Sequence, residues 1–211
     1  MGRVILVRHA ESEANRDHTS LGRADSPLTD HGRVQVRALA QALAGEPITR
    51  VLTSPLSRAA DAADAIAAHH TIPAERHEAL LEMDVGDMEG LPWDQARLRY
   101  SDFLDRWSSD DSATVSMPGG ESLLEVQRRA WPVLEPILTD THTAGTTVLV
   151  SHNFVVKVLI CAALDLDIKR WRIFETDLTG RTVLEPRRGL IVLRTLNDFS
   201  HLSRPAASPT A

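Results

Sequence analysis

The 211-residue sequence predicts one α/β domain, a three-layer α/β/α sandwich around a mainly parallel sheet. Three observations carry that reading. Continuous apolar runs such as Val4-Ile5-Leu6-Val7 and Thr146 to Val150 have the length and branching of strands buried on both faces. Stretches with helical spacing and recognisable caps alternate with these runs, as βαβ units require. Two of the runs end abruptly in a polar pair, Arg8-His9 and Ser151-His152, as strands do where a sheet opens onto a ligand crevice.

In chain order, the first strand is Val4 to Val7 and a polar loop follows to about Leu28. Thr29 can cap a helix in which Val34, Leu39 and Leu43 recur near helical spacing, ending by Gly45. Ile48 to Thr53 reads as a second strand. Ser54-Pro55 then reads as N-cap and first turn of an alanine-rich helix reaching about His69. Ala79 to Gly90 is an acidic loop region, and a short helix is expected from about Pro92 to Tyr100. Ser108 to Gly120, rich in Ser, Asp, Thr, Pro and Gly, reads as a surface loop. Ser122 and Glu125 form a capping-box signature for a helix to about Leu138, with Pro132 and Pro136 predicting a kink or an early end. After Thr146 to Val150 come a helix from about Phe154 to Leu164 and a late strand from Leu190 to Leu196. There is no internal repeat. Residues 1–202 are expected to form the single catalytic domain, and the Ser/Pro/Ala tail 203–211 is expected to be disordered.

Composition narrows the functions available. The chain is 43% hydrophobic and 25% charged, with a formal net charge of −6. An acidic chain without a Lys/Arg run does not read as a nucleic-acid or membrane-surface binder, so any anion site must be built locally against the overall charge. One cysteine allows no internal disulfide and suits a reducing compartment. No leader pattern opens the chain, and no apolar stretch approaches the roughly 18 to 20 residues that span a bilayer. A cytoplasmic protein is expected.

The strand-end residues suggest the chemistry. If the strands ending at Arg8-His9 and Ser151-His152 are neighbours, two histidines and an arginine converge, and Arg58 can join them from the helix after the second strand. Either pair alone could merely cap the sheet; the combination favours a site. Guanidinium forks match a phosphate dianion. Nearby positive charge also disfavours the imidazolium form of His9, leaving a ring nitrogen able to attack. Phosphoryl transfer needs positioning and charge stabilisation, which Arg8, Arg58 and His152 could supply, with Asn15 as a neutral donor. A carboxyl facing the dianion has its pKa raised and can act as general acid.

The motifs fall in a familiar order. Leu6-Val7-Arg8-His9-Ala10-Glu11-Ser12 with Asn15, Asp25-Ser26-Pro27-Leu28-Thr29 with Gly32, and Ser54-Pro55-Leu56-Ser57-Arg58-Ala59 come first. Leu81-Glu82 with Gly86 and Glu89-Gly90, Pro118-Gly119-Gly120-Glu121-Ser122, Val150-Ser151-His152, and a closing Asn197-Asp198 with His201-Leu202 follow. Together they span nearly the whole chain and resemble the histidine phosphatase superfamily, in its phosphoglycerate mutase-like branch. The resemblance implies a phosphoglycerate mutase-like fold and a phosphomonoesterase that needs no metal or cofactor. It makes His9 the nucleophile, forming a phosphohistidine. Arg8, Arg58 and His152 would hold the phosphoryl group, Glu82 would be the proton donor, and Asn15, Asn153 and Arg23 are expected on the substrate-binding side. Two positions depart from the commoner pattern: Ala10 and Asn153 each stand where a Gly is usual.

Other features carry less. His18, His31, His69, His70, His77 and His142 show no metal-ligand spacing. Asp84, Asp87 and Glu89 read as a solvated loop rather than ligands. Cys161, inside an apolar run, reads as core. Trp93 and Trp107 fit either core or pocket mouth. The expected partner is a small phosphomonoester, with no nucleic acid or membrane, and a homodimer stays open. A mutase returning the phosphoryl group to a second hydroxyl is the alternative. The stretch from Glu82 to Pro118 is short, whereas family mutases usually carry a longer insertion there, which favours water as acceptor. A non-catalytic binding module is the remaining reading.

Overall fold

Residues 2–109, 112–139 and 145–202 are described by the computed structural model. Among them, six strands form one sheet: β1 (Arg3–Arg8), β2 (Ile48–Thr53), β3 (Ala74–Arg76), β4 (Thr146–Ser151), β5 (Arg181–Arg187) and β6 (Leu190–Asp198). Their spatial order is β3-β2-β4-β1-β5-β6. The β3, β2, β4 and β1 strands run parallel, and β5 and β6 add an antiparallel hairpin beside β1. The expected mainly parallel sheet is therefore the one observed.

Alternation along the central strands divides the interior in two. Ile5 and Val7 point to one face, where they pack with Val148, Val150 and the helices α2 (Asp30–Leu43) and α3 (Ser57–His70). Val4 and Leu6 point to the other, against Leu52, Leu149 and the helices α6 (Leu123–Thr139) and α7 (Asn153–Ala163). Strands buried on both faces need continuous apolar sequence, which is why β1 and β4 are legible. Among the described residues there are three shorter α-helices: α1 (Glu13–Arg16), α4 (Trp93–Arg99) and α5 (Ser101–Trp107).

Several expectations need correction. The alanine-rich helix starts at Ser57, not at Ser54-Pro55. Ser54 is buried, and the helix start is capped from a distance: Asp25 Oδ1 accepts both the Ser57 N–H at 2.9 Å and the Ser57 hydroxyl at 2.8 Å. In α2 the buried face is carried by Val36, Leu39, Ala40 and Leu43, while Val34 is half exposed. Helix α6 runs for 17 residues through Pro132 and Pro136 instead of ending early. Both prolines are exposed and four residues apart, so the carbonyls they leave without a partner lie on the solvent side. The opposite face of α6 buries Leu123, Val126, Ala130, Leu134 and Ile137, which holds the helix together. Strands β3 and β5 and helix α5 were not anticipated. The tail expected to be disordered, residues 203–211, and His142 lie outside the described residues.

The cap of α2 also fixes the chain beyond the first strand. Thr29 Oγ1 accepts the Gly32 N–H at 2.9 Å and donates to Glu11 Oε1 at 2.6 Å. A Cβ on Gly32 would stand 2.1 Å from the Glu11 carbonyl oxygen, so α2 and the segment after β1 touch backbone to backbone. Alanine normally stabilises a helix interior by about 1 kcal/mol over glycine. Here Gly32→Ala is expected to lower stability instead, by roughly 1–3 kcal/mol for overpacking. Chemical denaturation measures this, and a variant as stable as the parent contradicts the close approach.

Candidate active site

Parallel pairing of β1 with β4 sets Arg8 opposite Ser151, so His9 and His152 leave the sheet side by side. Their rings lie 5.1 Å apart between centroids, and both are buried. The His9 N–H donates to the Ser151 carbonyl at 2.8 Å, which carries the strand register one residue past β1. His9 Nδ1 lies 2.7 Å from the Ala10 carbonyl oxygen. A carbonyl only accepts, so Nδ1 carries the hydrogen and Nε2 keeps its lone pair. Burial first, then the charges of Arg8 and Arg58, hold the His9 pKa well below the ordinary histidine value. Such a ring is neutral at pH 7.

Arg58 sits in the first turn of α3 and is 1% exposed, yet among the described residues no carboxylate is hydrogen-bonded to it. Its Nη1 donates to the Ala24 carbonyl at 2.9 Å and its Nη2 to the Gly22 carbonyl at 2.7 Å. That loop is itself held by Glu89, whose carboxylate accepts the backbone N–H groups of Gly22, Arg23 and Ala24 at 2.8, 2.8 and 3.2 Å. Glu89 is therefore a loop anchor, not the solvated side chain expected from sequence. Arg8 donates through Nη1 to the Thr176 carbonyl at 2.7 Å. Arg8 Nε, Arg58 Nε and both ring nitrogens of His152 are buried without a protein partner. An unmet buried donor costs about 1–3 kcal/mol, so the two Nε–H groups and the one N–H of a neutral His152 ring, held near His9, favour a place for an acceptor.

Glu82 enters from the other side, 4% exposed. Its Oε1 accepts the Met83 N–H at 2.9 Å, and its Oε2 lies 3.4 Å from the Phe154 N–H near the start of α7. Burial raises its pKa, against the opposing pull of those amides, Arg58 and Arg8. Its backbone is braced by Arg129 of α6, which donates to the Ala79 and Glu82 carbonyls at 2.7 and 3.0 Å. Glu121 completes the brace. It accepts from Arg129 Nε at 2.9 Å and from the Asp84 N–H at 2.9 Å.

Arg8, His9, Asn15, Arg58, Glu82 and Asn153 line one cavity of about 140 Å³, together with Thr19, Leu21, Trp93 and Phe154. Asn15 is oriented by Ser12, whose N–H and hydroxyl donate to Asn15 Oδ1 at 3.1 and 2.9 Å. Asn153 Oδ1 accepts the Thr176 hydroxyl at 2.6 Å. Arg23 is not brought to the cavity lining: its guanidinium donates to Glu121 at 2.8 Å and lies 3.7 Å from Asp84. The two tryptophans divide. Trp93 is 45% exposed at the cavity, whereas Trp107 is buried among Phe103, Phe154 and Trp171. Cys161 is core, and burial pushes its thiol up to about 11. Sequence reasoning missed Thr176, Glu89 and the Arg129–Glu121 pair. Of these only Glu89 and Glu121 stood in quoted motifs, with no sign of what they hold.

The comparisons agree with this geometry. The model of the histidine phosphatase superfamily (branch 1) matches residues 4–199. A phosphoserine phosphatase 1 from Hydrogenobacter thermophilus is 31% identical over 202 residues, covering 96% of this chain and 95% of that protein. A 2,3-bisphosphoglycerate-dependent phosphoglycerate mutase from Mesorhizobium japonicum is 33% identical, covering 75% of this chain and 80% of its own. Among solved structures, YhfR of Bacillus stearothermophilus superposes with a TM-score of 0.87 at 28% identity, covering 96% of this chain and all of that one. Paired histidines at adjacent parallel strand ends, the buried Arg58 with the half-buried Arg8, and a near-complete family match place the chain in the histidine phosphatase superfamily, branch 1.

Proposed function

We propose that the chain hydrolyses a small phosphomonoester through a phosphohistidine on His9. The observation that carries this is the neutral, buried His9 ring, with Nδ1 occupied by the Ala10 carbonyl, among unpartnered guanidinium and imidazole nitrogens. In the first step His9 Nε2 forms a bond to phosphorus as the ester P–O bond breaks. Arg8, Arg58 and His152 hold the equatorial oxygens, with Asn15 and the Asn153 backbone amide at the start of α7 assisting. Glu82, whose pKa burial raises, gives a proton to the departing oxygen. In the second step the Glu82 carboxylate takes a proton from water, whose oxygen displaces Nε2 and releases inorganic phosphate.

Phosphatases and a mutase both stand among the relatives, so water and a second hydroxyl are competing acceptors. The cavity of about 140 Å³ and its partly exposed rim favour water. Among the described residues no group of three or more His, Cys, Asp or Glu could hold a metal ion, and no step above calls for one.

His9→Ala is expected to abolish turnover with the fold retained, while acid-quenched parent enzyme carries acid-labile phosphate on His9. Phosphate found on a serine or on Cys161 contradicts the mechanism, as does loss of activity to EDTA that a divalent ion restores.

The Glu82 assignment makes the acid's contribution depend on the leaving group. General acid catalysis is worth about 10²–10⁴-fold. Glu82→Gln is expected to lose about that much in single-turnover phosphoenzyme formation from an alkyl phosphate, and far less from p-nitrophenyl phosphate. Equal losses on both would reduce Glu82 to holding the phosphate.

The pH profile follows from the two shifts. The nucleophile must be neutral, and its lowered pKa sets the acidic limb below the ordinary histidine value. The acid must be protonated, so kcat/KM for the alkyl ester falls as pH rises through the raised Glu82 pKa. In Glu82→Gln the alkaline limb should disappear. Its persistence would assign that limb to another group.

A further inference from the structure

The closing motif Asn197-Asp198 with His201 lies away from the reacting atoms, and nothing in the mechanism uses it. Its contacts nevertheless lead back to the nucleophile in two steps. The first runs through the turn 176–180, between the end of the 3₁₀ segment Ile168–Ile173 and β5. In that turn the Thr179 N–H donates to the Arg8 carbonyl at 3.0 Å and to the His9 carbonyl at 3.2 Å. Thr176 accepts the Arg8 guanidinium at 2.7 Å and donates its hydroxyl to Asn153 at 2.6 Å. One turn thus fixes the nucleophile's backbone, the adjacent arginine's side chain and the Asn153 amide group.

A bond from the Gly180 N–H to the Asp177 carbonyl at 2.9 Å closes the turn, and contacts from outside add to it. Thr179 is a β-branched residue at φ +60°, a conformation that persists only where its surroundings enforce it. The surroundings are the closing motif. Asn197 Oδ1 accepts the Asp177 N–H and Asn197 Nδ2 donates to Asp177 Oδ2, each at 2.7 Å, a two-pronged clasp. At the other end His201 Nε2 lies 3.0 Å from the Thr179 hydroxyl, which is fully buried. Asn197 reaches the turn because it adopts φ +50°, which asparagine tolerates, and because Gly180 leaves space: a Cβ there would stand 2.2 Å from Asn197 Oδ1. Asp198 ties the same stretch to β5 through Arg181.

We propose that Asn197 and His201 are positioning residues, clasping the 176–180 turn so that Arg8, the His9 backbone and Asn153 stay aimed at the phosphoryl group. The inference rests on the phosphohistidine reading above. Misplacement of about 1 Å can cost 10²-fold in rate, so a clasp some distance from the chemistry can still control it.

A charge-neutral exchange tests it. Asn197→Asp keeps the acceptor for the Asp177 N–H and tolerates the same φ, but it sets a second carboxylate against Asp177 Oδ2. Adding Asp177→Asn restores the clasp with donor and acceptor reversed. Phosphohistidine formation from saturating p-nitrophenyl phosphate is followed in single turnovers, and the Kd of inorganic phosphate is measured, both well below each variant's Tm. Asn197→Asp is expected to slow phosphorylation and weaken phosphate by about tenfold or more, and the double variant to recover both. A smaller loss, or one the exchange leaves in place, overturns the proposal, since a merely structural residue would lower Tm and leave the saturating rate unchanged. His201→Phe removes the partner of the buried Thr179 hydroxyl and carries the same test from the other end should Asn197→Asp not fold: a parental rate there overturns it too. Failure of the underlying mechanism is separate, because parent enzyme would then form no phosphohistidine at all.

Discussion

Withdrawing the guanidinium groups of Arg58 and Arg8 from water, with no carboxylate hydrogen-bonded to either among the described residues, is the constraint around which this candidate site is organised. A charge removed from water costs several kcal/mol even after relaxation, and a direct ion pair would neutralise the group meant for the ligand. The chain meets the cost with main-chain carbonyls: Gly22 and Ala24 for Arg58, and Thr176 for Arg8. Carbonyl dipoles satisfy part of each fork and leave its full charge, together with both Nε atoms, for an anion. Glu82 is the acid whose charge acts on both arginines, opposing the effect of their burial, yet its own pKa is raised. The net-acidic chain has thereby gathered two arginines and two neutral histidines in one place.

Carbonyls are useful ligands only if their loops are rigid, and much of the remaining polar structure serves that need. Glu89 collects three amides of the 22–24 segment, Arg129 and Glu121 hold the segment carrying Glu82, and Asn197 and His201 hold the turn that meets Arg8. Each anchor comes from a different element, so the site is a convergence of loops on the end of β1 and β4. The parallel register between those strands makes the convergence possible, since it alone sets the two histidines side by side.

The sequence is legible where physics acts locally. Val4 to Val7 and Thr146 to Val150 are readable as strands because burial on both faces demands unbroken apolar residues, and His9 and His152 are readable as candidate site residues because they end those strands. Strand β5 is hidden because Arg181-Thr182-Val183-Leu184-Glu185-Pro186-Arg187 has little apolar run and contains a proline. Helix α3 begins late because its cap, Asp25, is thirty-two residues upstream of Ser57. Prolines 132 and 136 mislead because their cost depends on which face of α6 they occupy. The pairing of Arg23 with Glu121 and Asp84 is hidden because those carboxylates are distant in the chain. Glu82 was singled out from its neighbours by resemblance alone; its burial and raised pKa are tertiary properties that no local pattern encodes.

The account depends most directly on the state of one ring. With histidines labelled with nitrogen-15, NMR of the ligand-free protein reports protonation and tautomer for each imidazole as pH is varied. With its pKa held well below the ordinary histidine value, His9 is expected to be neutral where an unperturbed histidine titrates, near 6.5, with hydrogen on Nδ1 and none on Nε2. A His9 that titrates near the ordinary value, or that carries its hydrogen on Nε2, would contradict the claim that burial and two arginines keep a nucleophile ready at this position.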